Sequence, residues 1–570
     1  MKNKDIVAII ALVGCIVMGI FLRIFQFGHI PIGTYWDETA MIIDASAIAA
    51  TGHDMHGNSW LQAIFPSYGD FKLPMYIWLS TLVFRAINNS EVAIRLPSLL
   101  AGVATIGLAA LIAGELAKYW PRHQRRIFQL ASASVVSLSF WAILFSRTGF
   151  EGHLAQLWMG LSMYSLLKSK NNSAFWIVAG VFGSLATWTY YSARFIWPIL
   201  WFTMVLPQLF STLTNHKERS KLLLKQVLPA LGAICIFFSA MYLMVRSPLY
   251  PASEVFRLSS DSILNQAPFV AESNLSQFIE GHTFVGRIAL HRYLFQAKSF
   301  ADNFASNMSL DFLFFSGDHN LRHGTGMHGL FPIVFAPCLL FGLLGLFKHH
   351  RSTLFLLLIW WFVSLIPASV PYDVPHALRT LNALVPLALL IGYGMTTLLL
   401  APLKHRVILY KVFFICLFIE MLAFSQYLFV IYPVTSASEW QAGYTELAQY
   451  ATSNQGAVNR FWINSGDGRF FLWLLAFGTY SASDIQKLPW QDYQLTQLGT
   501  IELSDFVYTR EGFPDVPFAL AGRRKEISDN LALLRATPQI IIPILDRNQQ
   551  EQFIVTYFNL SFDQLNHVKK

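Results

Sequence analysis

Charge is what this sequence has least of. Only 13% of its 570 residues are Asp, Glu, Lys or Arg, about half the roughly 25% usual in soluble domains. A chain so poor in charge cannot cover a globular surface with water-facing groups, which excludes an ordinary soluble enzyme. Cysteine is scarce too. Cys15, Cys235, Cys338 and Cys416 each sit inside an apolar run, with no spacing that suits a disulfide or a metal. Heptads, low-complexity tracts and clear repeats are missing, which removes coiled coils and solenoids. The net charge of +8 is scattered in short clusters between apolar stretches, so nucleic acid is not the expected partner. No small-residue cleavage site precedes Arg23, and the apolar run from Ile6 to Leu22, behind Lys2 and Lys4, reads as a retained first span.

What the sequence does have is hydrophobic length. Apolar residues make up 54% of the chain and the mean hydropathy is +0.45. Crossing about 30 Å of hydrocarbon takes about 20 residues. Runs of that kind start near residues 6, 96, 127, 153, 174, 194, 226, 329, 352, 380 and 407, which predicts a polytopic α-helical membrane protein of about eleven spans. The run from Leu73 to Ile87 is shorter and opens with Pro74. Taken as an interfacial helix, it leaves the clusters around Lys118–Arg126, Lys168–Lys170, Lys217–Lys225, Lys348–Arg351 and Lys404–Arg406 on the same side as Lys2 and Lys4. That is the cytoplasmic side by the positive-inside rule. The first outer loop (29–94), a large loop (246–328) and everything after 432 then fall on the non-cytoplasmic face. From Trp440 onward, strand-like runs (Arg460–Ile463, Gln539–Ile544, Gln552–Phe558) alternate with helix-like ones (Gly443–Tyr450, Ser528–Arg535). This predicts a membrane domain over 1–432 and a small soluble α/β domain over 433–570.

Ionisable residues near membrane depth are costly and are functional candidates by default. The outer segments carry them repeatedly: Asp37 and Glu38 behind Tyr35 and Trp36; Asp70 and Lys72; Arg147, Glu151 and His153; Tyr191 and Arg194; Asp318, His319, Arg322 and His323; His376 and Arg379. An acidic pair in a loop is ordinarily solvated surface, and a single Arg at a span end ordinarily snorkels. Their recurrence on one face points instead to a shared polar cavity. A carboxylate there can act as a general base or a metal ligand, and guanidinium and ammonium groups match phosphate oxygens.

The ordered set of these signals resembles the C-type membrane glycosyltransferase superfamily, with the protein O-mannosyltransferases (glycosyltransferase family 39) and the lipid A aminoarabinose transferases as the most similar branches. Asp37-Glu38 follows the first span, Lys72-x-Pro74 precedes an interfacial helix, and Arg95-Leu96-Pro97-Ser98 opens the second span. Arg147 to Glu151 closes the third, Tyr190-Tyr191-Ser192-Ala193-Arg194 follows the fifth, and His376-x-x-Arg379 precedes the tenth. The resemblance covers about residues 1–430 and implies the C-type fold. It implies a polyprenyl-phosphate-linked sugar as donor, action at the non-cytoplasmic face, and inversion at the anomeric centre. Asp37 would be the base, with Glu38 helping to place a protein, lipid or glycan acceptor. Lys72, Arg194 and Arg379 would meet the donor phosphate, with Asp70, Arg147, Glu151, Tyr191 and His376 as further substrate-binding candidates. The family's Lys-Pro-Pro is Lys72-Leu73-Pro74 here, and no Asp-x-Asp metal signature occurs. No cofactor is required by the sequence, and a divalent metal near Asp70 or a His stays open. The competing expectation is a transporter or flippase for a lipid-linked or anionic solute, which would use the same cavity. A polysaccharide polymerase or oligosaccharide transferase would differ only in donor length.

Overall fold

Only some of the apolar runs become helices of membrane length. The computed structural model describes residues 3–214, 223–259, 262–401, 406–464, 468–504, 515–534 and 536–568. Six of its helices are long and apolar enough to cross a bilayer: Ile6–Ile24, Ser90–Leu116, Leu224–Val245, Arg351–Ser369, Ala377–Leu400 and Ile408–Thr435. The chain is a multi-pass membrane protein. The other runs are helical but shorter or more polar. Ala174–Thr187, Ala193–Pro207 and Ile333–His349 fall short of that length. The run from residue 127 ends at Ser139, where the backbone turns extended (φ −60°, ψ 121°) and the side chain caps a new helix, Phe140–Phe145. The run from 153 forms Glu151–Lys168, which carries His153, Gln156, Ser162 and Ser165. The helix Pro74–Phe84 has 11 residues, roughly 16 Å at 1.5 Å per residue, too short to cross. The basic residues Lys217, Arg219, Lys221 and Lys404 lie outside the described residues.

The chain divides into two compact units. The first comprises Met1–Phe27, Leu73–Tyr76 and Arg95–Val430. Its helices approach one another through small residues, the usual device where lipid offers no hydrophobic contrast. The helices Ala336–His349 and Leu384–Leu400 cross so closely that a Cβ on Gly394 would strike the Cys338 carbonyl, and one on Gly342 the Leu390 carbonyl. Gly394→Val is therefore expected to destabilise the bundle by about 1–3 kcal/mol, the usual cost of overpacking. A lowered thermal midpoint in detergent would show this, and an unchanged one would refute the crossing as described.

Two fully buried arginines brace this unit reciprocally. Arg23, near the end of the helix Asn3–Ile24, donates to the carbonyls of Val136 (2.9 Å) and Ser137 (2.6 Å) and to Ser146 Oγ (3.1 Å). Arg147 donates in return to the carbonyls of Leu22 (2.8 Å), Arg23 (3.2 Å), Phe25 (2.8 Å) and Gln26 (3.0 Å). Each guanidinium supplies donors to carbonyls that a helix end leaves without intrahelical partners.

The second unit comprises Gly28–Lys72, Ile77–Ile94 and Ile431–Lys570, so the first outer loop and the tail share one compact body. The loop contributes a two-stranded hairpin, β1 (Phe65–Pro66) and β2 (Phe71–Lys72). The tail contributes β3 (Arg460–Ile463), β4 (Gln497–Leu498), β5 (Ile501–Leu503), β6 (Phe518–Gly522), β7 (Ile540–Leu545) and β8 (Glu551–Phe558). These form one mixed sheet in the order β4-β5-β3-β6-β8-β7, with β3 parallel to both β5 and β6. Helices occupy Tyr444–Asn454 and Arg524–Leu534, close to the runs expected from the sequence. Phe461, Ile463, Ala519 and Val555 pack with Leu447, Trp473 and Leu474. The same core takes in Ala40 and Ile43 from the loop helix Trp36–Thr51.

Candidate functional site

In the second unit the helix Trp36–Thr51 begins where Tyr35 is still extended (φ −69°, ψ 152°). Asp37 and Glu38 thus occupy its first turn, where unpaired backbone N–H groups favour negative charge. The start of this helix is pinned. Thr39 Oγ1 contacts Thr34 Oγ1 (3.1 Å), and the Trp473 indole of the tail donates to the same Thr34 oxygen (3.2 Å). The two acidic residues diverge from there. Glu38 is fully buried, while the Asp37 side chain keeps 22% of its surface exposed. Asp37 is the member of the pair that opens to solvent.

The β1–β2 hairpin turns through Gly69, whose φ of +88° suits glycine, and brings three side chains to Asp37. The Tyr68 hydroxyl and the Lys72 ammonium both donate to Asp37 Oδ1, and Lys72 also donates to Asp70 Oδ2 at 2.8 Å. Lys72 and Tyr68 are each 6% exposed. Burial, followed by the charge of Asp37, holds the Tyr68 phenol well above its ordinary range, so it stays a hydrogen-bond donor. Arg469, from the tail, lies 4.2 Å from the Trp36 ring and 5.0 Å from the Tyr68 ring. The result is a carboxylate oriented by a hydroxyl and an ammonium, beside a second carboxylate and a guanidinium. Such a group can accept a proton from an incoming hydroxyl or amine next to positive charge suited to an anion. Of the candidates named from the sequence, Asp37, Asp70 and Lys72 are brought together here.

Glu38 lies in the same unit, and the remaining candidates lie in the first. Arg194 pairs with Glu254 (2.6 Å) and stacks over Tyr191 at 4.3 Å, while Tyr191 bonds Ser253 at 2.5 Å. His376 Nδ1 accepts from the Arg379 backbone N–H at 3.4 Å, and Arg379 donates to the Asp373 carbonyl at 2.9 Å. The His376 and His323 rings are 4.3 Å apart. Burial pushes the Asp318 carboxyl up to about 6 and the His323 imidazole down to about 3. Glu151 occupies the first turn of Glu151–Lys168. Arg147 gives its guanidinium to the helix-end carbonyls described above, where it braces the bundle.

Tyr68 and Arg469 were not among the sequence candidates. Tyr68 carried a signal, since it stands four residues before Lys72 in a Gly-turned hairpin. Arg469 carried none: more than 400 residues separate it from Asp37.

No family model matches the sequence, and no curated protein matches it either. Solved structures do. ArnT of Cupriavidus metallidurans in the apo state is 11% identical, covering 96% of this chain and 97% of that one with a TM-score of 0.50. The same protein bound to undecaprenyl phosphate is 12% identical, covering 99% of each chain with a TM-score of 0.49. The Archaeoglobus fulgidus oligosaccharyltransferase tethered with an acceptor peptide is 11% identical, with a TM-score of 0.46 over 84% of this chain. The present chain spans only 64% of that protein's length. The likeness to ArnT gives the chain the C-type glycosyltransferase fold that its motifs resemble.

Proposed function

We propose that the chain is an integral-membrane glycosyltransferase, moving a sugar from a polyprenyl-phosphate donor to a protein, lipid or glycan acceptor at the non-cytoplasmic face. The observation that carries this reading is the Asp37 carboxylate, partly exposed and held by Tyr68 and Lys72. Asp37 takes the proton from the acceptor as its oxygen or nitrogen attacks the anomeric carbon. The carbon–oxygen bond to phosphate breaks, and polyprenyl phosphate departs with the electron pair. Direct displacement inverts the centre. Lys72 supplies positive charge where the leaving phosphate gathers negative charge, and Glu38 helps to place the acceptor. Arg194 and Arg379, each now beside a carboxylate, are further candidates for an anionic group, with Tyr191, Glu151, His376 and Asp70 as candidate contacts to sugar or acceptor.

Eleven membrane crossings fit this reading: the six long helices, together with the segments beginning at Arg122, Glu151, Ala174, Ala193 and Ile333. The positive-inside pattern supports a cytoplasmic N-terminus, which puts the site and the domain over 433–570 outside.

The test is purified protein in nanodiscs with radiolabelled polyprenyl-phosphate sugars and membrane-derived acceptors. Labelled acceptor and released polyprenyl phosphate should accumulate together. Translocation of a solute with no glycosylated product would establish a transporter instead.

A further inference from the structure

A second cluster, in the first unit, includes His376 and has the composition of a metal centre. Asp318, His323 and His376 each offer a ligand atom, and these atoms all lie within 4.8 Å of one another. We infer that the three form a binding site for a divalent first-row transition ion, zinc foremost, that fastens the 318–323 loop to the turn before the helix Ala377–Thr380.

Four observations support it. His323 is 91% buried, yet its Nδ1 has no hydrogen-bond partner. It faces Asp318 Oδ2 at 3.8 Å, too far for a hydrogen bond and suited to two ligands on either side of an ion. A tetrahedral zinc with bonds of about 2.0–2.1 Å sets its ligands roughly 3.4 Å apart, so atoms within 4.8 Å of one another have at most about 1.4 Å to close. Asp318 is already oriented: Oδ1 accepts from the Asn320 N–H (2.9 Å) and Oδ2 from the Ala377 N–H (2.8 Å), the outer hydrogen bonds that fix a metal-binding carboxylate. A cavity of about 10 Å³ opens beside Asp318 and His323, bounded by Trp141 and His328. It is the size of one water molecule and leaves room for a fourth ligand.

Two guanidiniums stand near. Arg322 donates to Asn320 Oδ1 (2.9 Å) and Arg379 to the Asp373 carbonyl (2.9 Å), so each has an acceptor of its own. Imidazole with carboxylate favours zinc over magnesium or calcium, which prefer oxygen alone.

The experiment is metal analysis of the full-length protein, equilibrated with zinc chloride and then desalted. About one zinc per chain is expected, with thermal stabilisation on adding zinc. His323→Ala and His376→Ala should lose both, while His319→Ala, at an exposed neighbouring position, should keep both. Cobalt(II) in the wild-type protein should give the intense visible bands of a tetrahedral site, a readout that does not depend on the variants folding. Wild-type protein that retains no zinc, or variants that retain it in full, would overturn the inference. Neither result bears on Asp37, so the site and the transferase reading stand or fall separately.

Discussion

Asp37→Asn is expected to lower sugar transfer by about 10²–10⁴-fold, the contribution of a positioned general base, while leaving insertion and folding intact. The substitution is nearly isosteric. An amide oxygen still accepts from Tyr68 and Lys72, so the hairpin stays in place. What disappears is the ability to take a proton from the acceptor. The loss should fall on kcat, with the affinity for the lipid donor changed little, because Lys72 keeps Asp70 as a partner. Tyr68→Phe should lose far less, since the phenol orients the carboxylate and leaves its charge untouched. Wild-type turnover in the Asn variant would remove Asp37 as the base.

The second large effect is structural. Arg147→Ala should destabilise the membrane unit by several kcal/mol and reduce the yield of folded protein. A buried acceptor left without its donor costs about 1–3 kcal/mol, and the Arg147 guanidinium reaches four carbonyls at once. Arg147→Lys should recover only part, because a single ammonium has no planar fork to span them. Unfolding midpoints in mixed detergent would measure the difference. An Arg147→Ala protein with an unchanged midpoint but a raised KM would return this residue to substrate binding.

These two arginine roles mark where the sequence stops being legible. A guanidinium at a span end looks the same whether it awaits a phosphate or caps a neighbouring helix, and only the position of the first helix's last carbonyls decides. Arg23 was invisible for the same reason. The short Pro74–Phe84 helix was readable from its length, and β3 from the β-favouring run Phe461-Trp462-Ile463 between Arg460 and Asn464. The gathering of Asp37, Asp70 and Lys72 was readable from their order beside one span end. Tyr68 and Arg469 were not, because a side chain's partner across a hairpin or from a distant tail leaves no periodic trace. Nor did the sequence reveal that the first loop shares its core with the tail, since Ala40 and Ile43 look like any apolar face of a helix.

The outer strands of the tail sheet bear on how another polypeptide can meet them. One edge, β4, is two residues long. The other, β7, carries Pro543 in its middle, which lacks the N–H that an added strand would need. Among the described residues, an extended polypeptide therefore finds no continuous ladder to join on either side. A polypeptide that binds these strands has to be held through side chains and surface shape.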